Sequence, residues 1–251
     1  MSLIDALHDG FRSRAAQTKV ATVTIGLGYT AVETAEGDVG LSYTMAERSV
    51  RCTRVPVYRD YGGQCASELL DLLHSDHSLE RSIGVAAVNA FSRREALSLP
   101  ADEDKRGFAR SFNIGSGTRV AMVGFFGPVV AQLETLGADL RVLDRDRAMG
   151  DEAQFLAMLE SWPELVILTA TTILSASFER FLSAVGGAAK VYVLGPTTPM
   201  VPSAYEGFLV HRLGGMVPVE REGVVAAVRQ GAGTRELSPL CRKVCYTFDR
   251  E

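Results

Sequence analysis

The spacing of apolar residues changes twice along the chain. At the start, Ser2 followed three positions later by Asp5 forms a capping-box signature, and Leu3, Leu7 and Phe11 fall on one helical face. The period then drops to two. Val23, Ile25 and Leu27 alternate with polar neighbours, and Val39, Leu41 and Tyr43 do so again after the turn Glu36-Gly37-Asp38. This pattern predicts an antiparallel hairpin. Helical spacing returns over Ala66–Leu73 and from Leu79 to about Ala96. Within the second of these, IGVAAVNAF is apolar nearly all round, the mark of a buried helix. Strands followed by helices make an α+β unit.

From Leu97 to Gly117 the chain turns polar, through ADEDKRG and NIGSG, and reads as a linker. Beyond it the pattern changes a second time. RVAMVGFF, DLRVLDRD, LVILTA and KVYVLGP are short and almost continuously apolar. Helix-like segments separate them at Val129–Leu136, Glu152–Leu159 and Ser177–Val185. Continuous strands interleaved with helices imply a parallel sheet covered on both faces. A fifth strand near Phe208–Val210 and a helix over Gly223–Gln230 complete a doubly wound unit. The expected class is α/β, with an α+β domain over residues 1–100 and a doubly wound domain over residues 110–251.

In an open parallel sheet, ligands bind beyond the carboxyl ends of the strands, near the switch in strand order. Four such ends can be read here: Gly124-Phe-Phe126-Gly127-Pro128, Asp144-Arg-Asp146, Thr169-Ala-Thr171-Thr172 and Gly195-Pro196-Thr-Thr198-Pro199. The last is a stiff loop. Proline fixes φ and offers no N–H, so neither strand nor helix continues through it, and its hydroxyls are expected to point outward. Asp144 lies 20 positions after Gly124, where a dinucleotide fold places its ribose-binding acid. Yet G-x-x-G-P is not G-x-G-x-x-G, and Pro128 removes an amide that a pyrophosphate would need. Thr169, Thr171 and Thr172 precede a helix expected to begin near Ser175 or Ser177. They read equally as caps and as an anion-binding rim. Asn89, polar inside an apolar helix, needs a partner in the backbone, in the other domain or in a ligand.

Composition narrows the partners. A net charge of −4 gives no electrostatic case for nucleic acid or anionic membrane. No apolar run reaches bilayer length, and MSLIDALHDGFRSR lacks the order of a secretion signal, so a cytoplasmic location is expected. The four cysteines, Cys52, Cys65, Cys241 and Cys245, do not make a disulfide scaffold. Cys241 and Cys245 would meet on a helix, but VCYTF reads as a strand that holds them apart. His74 and His77 could share a metal on a helix, or sit in a solvated loop between helices. No zincin, serine-hydrolase or Walker signature occurs.

IGVAAVNA, GFFGP, VLDRD, LTATTILS and LGPTTPMVP, in that order, resemble the heavy-metal chelation family of bacteria and archaea. The resemblance covers most of the chain and implies an enolase N-terminal-like domain joined to a Rossmann-like domain, with the interdomain cleft as site. Residue by residue it implicates Asn89, Gly124, Phe126, Pro128, Asp144, Thr169, Thr171, Thr172, Gly195, Pro196, Thr198 and Pro199. Among these Asp144 is the only ionised side chain, so a bare divalent or heavy metal would need further ligands. The favoured reading is a binder of a small anionic or metal-bearing ligand. Two alternatives stay open. One is an enzyme using S-adenosylmethionine or a nucleotide, and the other is a non-catalytic module that pairs with a second copy of itself.

Overall fold

The computed structural model describes residues 1–46, 59–102 and 107–250. Helix α1 (Leu3–Gln17) starts where the pattern places it. Ser2 accepts the Asp5 N–H, and the Asp5 carboxylate accepts the Ser2 N–H in return. Leu3 and Leu7 are buried, and Phe11 lies against Phe91.

The alternating region is a three-stranded antiparallel meander rather than a hairpin. Its strands are β1 (Val20–Ile25), β2 (Tyr29–Thr34) and β3 (Val39–Tyr43), paired in that order. The unforeseen middle strand, YTAVET, is buried along its whole length and so shows no inside–outside alternation. The turn at Glu36-Gly37-Asp38 joins β2 to β3, with Gly37 in the left-handed region at φ +87°.

Helices α2 (Ser67–Asp71), α3 (Ser78–Phe91) and α4 (Arg93–Leu97) follow. In α3 every residue except Glu80 and Asn89 is buried. Strand β3 lies directly on it: a side chain at Gly40 would come within 2.1 Å of the Ala86 carbonyl oxygen.

After α5 (Gly107–Ser111) comes the second sheet. Its chain order is β4 (Arg119–Val123), α6 (Gly127–Thr135), β5 (Asp139–Leu143), α7 (Glu152–Leu159), β6 (Leu165–Thr169), α8 (Thr171–Leu174), α9 (Phe178–Ala184), β7 (Lys190–Leu194), β8 (Arg212–Pro218), α10 (Arg221–Arg229), α11 (Thr234–Leu237) and β9 (Cys241–Thr247). The spatial order is β5-β4-β6-β7-β8-β9, parallel except for β9.

The fifth parallel strand is Arg212–Pro218, not Phe208–Val210. Phe208 instead packs on Phe178 with ring centroids 5.9 Å apart. Glycines hide β8 from its sequence pattern. A side chain at Gly214 would meet the Tyr192 hydroxyl at 2.3 Å, and one at Gly215 would meet Met200.

One apolar core runs through both halves, from Leu7, Ile83 and Val88 to Leu168, Val193 and Leu213. Each such side chain contributes ~1.5–3 kcal/mol relative to exposure. The polar connection is pinned rather than loose. The Pro100 carbonyl accepts the Cys245 N–H, and the Asp102 N–H donates to Lys243, both at 2.9 Å. Buried Arg212 is held by Asp102 at 3.1 Å and by the hydroxyls of Ser111 and Thr247. Cys52 lies outside the described residues. No described helix is long and apolar enough to cross a membrane.

Candidate functional site

Strand β4 has β5 on one side and β6 on the other, so the chain reverses direction across the sheet between β4 and β6. A crevice at such a switch is expected above Gly124 and Thr169. Gly124 adopts φ +86°, and a side chain there would sit 2.9 Å from the Thr169 side chain. Next along, Gly195 adopts φ +132°, where a side chain would approach the Phe126 ring at 3.7 Å. These two glycines let the chain turn sharply against the Thr169 and Phe126 side chains. Phe126 precedes α6 and Pro128 lies in its first turn, where a missing N–H costs no helix hydrogen bond.

The three threonines divide. Thr169 and Thr171 are half-buried, with hydroxyls 3.0 Å apart. Thr172 is buried, and its hydroxyl donates to the Thr169 carbonyl at 2.7 Å. The helix here begins at Thr171 and is a single turn; α9 starts separately at Phe178. Of the two expected starts, Ser175 lies in the break between them and Ser177 is the N-cap of α9.

Asp144 is not the solvated carboxylate that its strand-end position suggested. It is 9% exposed, and one carboxylate oxygen accepts the Phe125 N–H at 2.9 Å while the other accepts the Arg147 N–H at 2.8 Å. The Arg147 guanidinium lies 3.5 Å from the same carboxylate and 4.7 Å from the centre of the Phe125 ring. The acid closes a tight loop whose backbone is paired between Asp144 and Met149. A ribose-binding acid needs free oxygens; these are already engaged.

The Gly195–Pro199 loop also turns inward. The Thr198 hydroxyl, on a residue 2% exposed, donates to the Gly214 carbonyl at 2.9 Å. Its neighbour Thr197 accepts the Tyr43 N–H at 2.9 Å, and the Thr197 carbonyl accepts from the Asn89 amide at 3.3 Å. The same Asn89 amide donates to Leu41 at 2.7 Å. Where prolines interrupt the ladder, side-chain oxygens take over its hydrogen bonding. Asn89 therefore ties α3 and β3 to the loop after β7. Thr197, which the sequence reasoning passed over, joins the loop after β7 to β3 through its side chain and to α3 through its backbone; the adjacent threonine was the only signal.

No group of three or more His, Cys, Asp or Glu side chains is arranged to hold a metal among the described residues. The His74 imidazole bonds to Asp5 at 3.1 Å and lies edge-on to His8, while His77 holds the N-cap position of α3 without a side-chain bond to the helix. Cys241 and Cys245 lie on strand β9, as their flanking pattern predicts. Burial pushes the Cys241 thiol up to about 12 and raises that of Cys245. The described residues do not fit a protein-only metal cage.

Two family profiles, each described as "putative heavy-metal chelation", match residues 107–247 and 8–92. The structure is similar to that of a protein of unknown function from Pyrococcus horikoshii, at 22% identity and TM-score 0.81, covering 98% of this chain and 100% of that one. It is also similar to a protein of unknown function from Desulfitobacterium hafniense, at 20% identity and TM-score 0.78, covering 98% and 96%. At these identities the likeness establishes the fold. No curated protein matches the chain. The profile over residues 107–247 spans more than half of the sequence and the second covers the meander and α3, so this chain belongs to the heavy-metal chelation family.

Proposed function

We propose that the protein binds a small anionic or metal-bearing ligand in the crevice at the β4/β6 switch, between a first unit of residues 1–100 and a second of residues 110–251. The observation that carries this reading is the pairing of two positive-φ glycines, Gly124 and Gly195, with the half-buried hydroxyls of Thr169 and Thr171 along one edge. Such backbone geometry is retained where something must approach closely. Any metal would arrive inside a complex, because the described residues offer no cluster of strong ligands there. The polar partners of that complex would be the two hydroxyls and the backbone amides around α6.

Equilibrium dialysis against nickel alone and against nickel citrate tests this. The wild-type protein should retain nickel with citrate, bare nickel weakly, and the Thr169→Val/Thr171→Val variant neither. Equal retention of bare nickel by wild type and variant would overturn the reading, as would no retention of the citrate complex.

A further inference from the structure

A second cavity lies well away from the sheet switch. Strand β1 and the segment ending at Gly63 are paired at Lys19 and Val20 and then diverge. Between them opens a trough of about 570 Å³, within the range of small-molecule sites. Its floor is Ile83 of α3, fully buried; Tyr61 lies on one side and Thr22, Thr24 and Ile25 of β1 on the other. Among the described residues β1 is an edge strand, and VATVTI carries no charge and no proline to guard it. Ile25 is 41% exposed.

Two cations face this apolar trough. Arg59 stands 3.9 Å from Glu68, both half-exposed, the outer limit of an ion pair. Arg229 has no ion pair among the described residues. It is brought to the trough because the Val228 carbonyl packs onto the end of β1, where only a glycine fits: a side chain at Gly26 would come within 2.2 Å of that oxygen. The nearby acids are partly committed: the Glu33 carboxylate also accepts the hydroxyl of Thr22 on the trough wall at 3.2 Å. Glu33 pairs with Arg221, and Asp60, the one carboxylate lining the trough, accepts the Gly62 N–H at 3.0 Å. Among the lining residues alone, Arg59 and Arg229 against Asp60 leave one net positive charge, with Glu68 beside Arg59 at the margin.

We propose that this trough is a second binding site, for a small molecule with an apolar body and a single anionic group such as a carboxylate or sulfonate. The body would lie over Ile83 and Tyr61. The anion would sit between Arg59 and Arg229, where each charge-assisted hydrogen bond is favourable but partly solvent-screened.

The probe is 8-anilinonaphthalene-1-sulfonate, with the neutral N-phenyl-1-naphthylamine as its uncharged counterpart. Fluorescence titration of the folded protein should show one saturable site for the sulfonate, displaced by octanoate. The Arg59→Gln/Arg229→Gln variant should weaken the sulfonate about tenfold, roughly threefold per exposed arginine, and leave the neutral dye unchanged. Both side chains are on the surface, so its melting temperature should match wild type. Thr24→Phe, which fills the trough, should reduce both dyes, whereas Thr169→Val/Thr171→Val should alter neither. The proposal is overturned if the double arginine variant binds the sulfonate as wild type does. It is equally overturned if the sulfonate and neutral dyes weaken together in that variant, or if the crevice variant abolishes dye binding.

Discussion

The threonine pair after β7 makes an ordered prediction about stability. Thr198→Val keeps the shape of the side chain and deletes a hydroxyl whose partner, the Gly214 carbonyl, also accepts the Gly195 N–H at 3.1 Å. The acceptor stays satisfied, so the cost is one neutral hydrogen bond, about 0.5–1.5 kcal/mol. Thr197→Val deletes an acceptor instead. The Tyr43 N–H that it served is left without its partner beside a residue 1% exposed, and an unsatisfied buried donor costs about 1–3 kcal/mol. For a chain of this length 1 kcal/mol lowers Tm by roughly 2–4 °C. Thr198→Val should therefore melt a few degrees below wild type, and Thr197→Val distinctly lower still. Urea unfolding followed by circular dichroism, with Tm from a parallel melt, reads both. If Thr197→Val proves as stable as Thr198→Val, the bond between the sheets is not made in solution and the account of this loop fails.

Asp144→Ala should destabilise by about 1–3 kcal/mol, because two backbone donors lose their acceptor; a melt unchanged from wild type would return Asp144 to the role of a free, solvated carboxylate. Asn89→Asp would set a carboxylate against the carbonyls of Leu41 and Thr197, and should cost about 2 kcal/mol or more while Asn89→Leu costs less; chemical denaturation that reverses the order would refute it. His211 is buried and its Nδ1 accepts the Val191 N–H, and burial, with Lys190 and Arg250 nearby, holds its pKa down to about 4 from 6.5. Its neutral form supports the fold fully above pH 6.5, and that support is lost as pH falls toward about 4. The loss is at most ~3 kcal/mol and nearer half that with solvent screening, so wild type should lose more stability than His211→Asn across this window.

The strand ends of the parallel sheet were legible because continuous apolar runs are the direct consequence of burial on both faces. RVAMV, LVILT and KVYVL appear in the structure as β4, β6 and β7. Strand β2 was not legible for a related reason: an antiparallel strand buried on both faces lacks the alternation by which such strands are recognised. Strand β8 was displaced in the reading because Gly214 and Gly215 carry no hydrophobic signal, although Tyr192 and Met200 require their smallness. The direction of a side chain is still harder to read. Asp144 and Thr198 sit at the expected ends of their strands, but whether a polar group faces solvent or backbone depends on which donors the next loop leaves unpaired. At Asp144 those donors are Phe125 and Arg147. Neither partnership follows from spacing.

That inward turn decides what a ligand at the switch could meet. Asn89, Asp144, Thr172 and Thr198 all spend their polar atoms on backbone groups of the protein, and Gly195 and Pro199 are buried. The half-buried or exposed remainder is Gly124, Phe126, Pro128, Thr169, Thr171 and Pro196. It contains two hydroxyls, one aromatic ring and no formal charge. On the proposed function, such an edge would recognise shape and hydrogen-bonding pattern, with little ordering required when a ligand enters. Cations held in such a place must bring their own ligands, which agrees with a metal complex and disfavours a bare ion. The inward-facing group sets the rigidity of the edge, and the outward-facing group sets its chemistry. Substitutions should separate accordingly: Thr197 and Asp144 variants change melting, whereas Thr169 and Thr171 variants change retention of the complex.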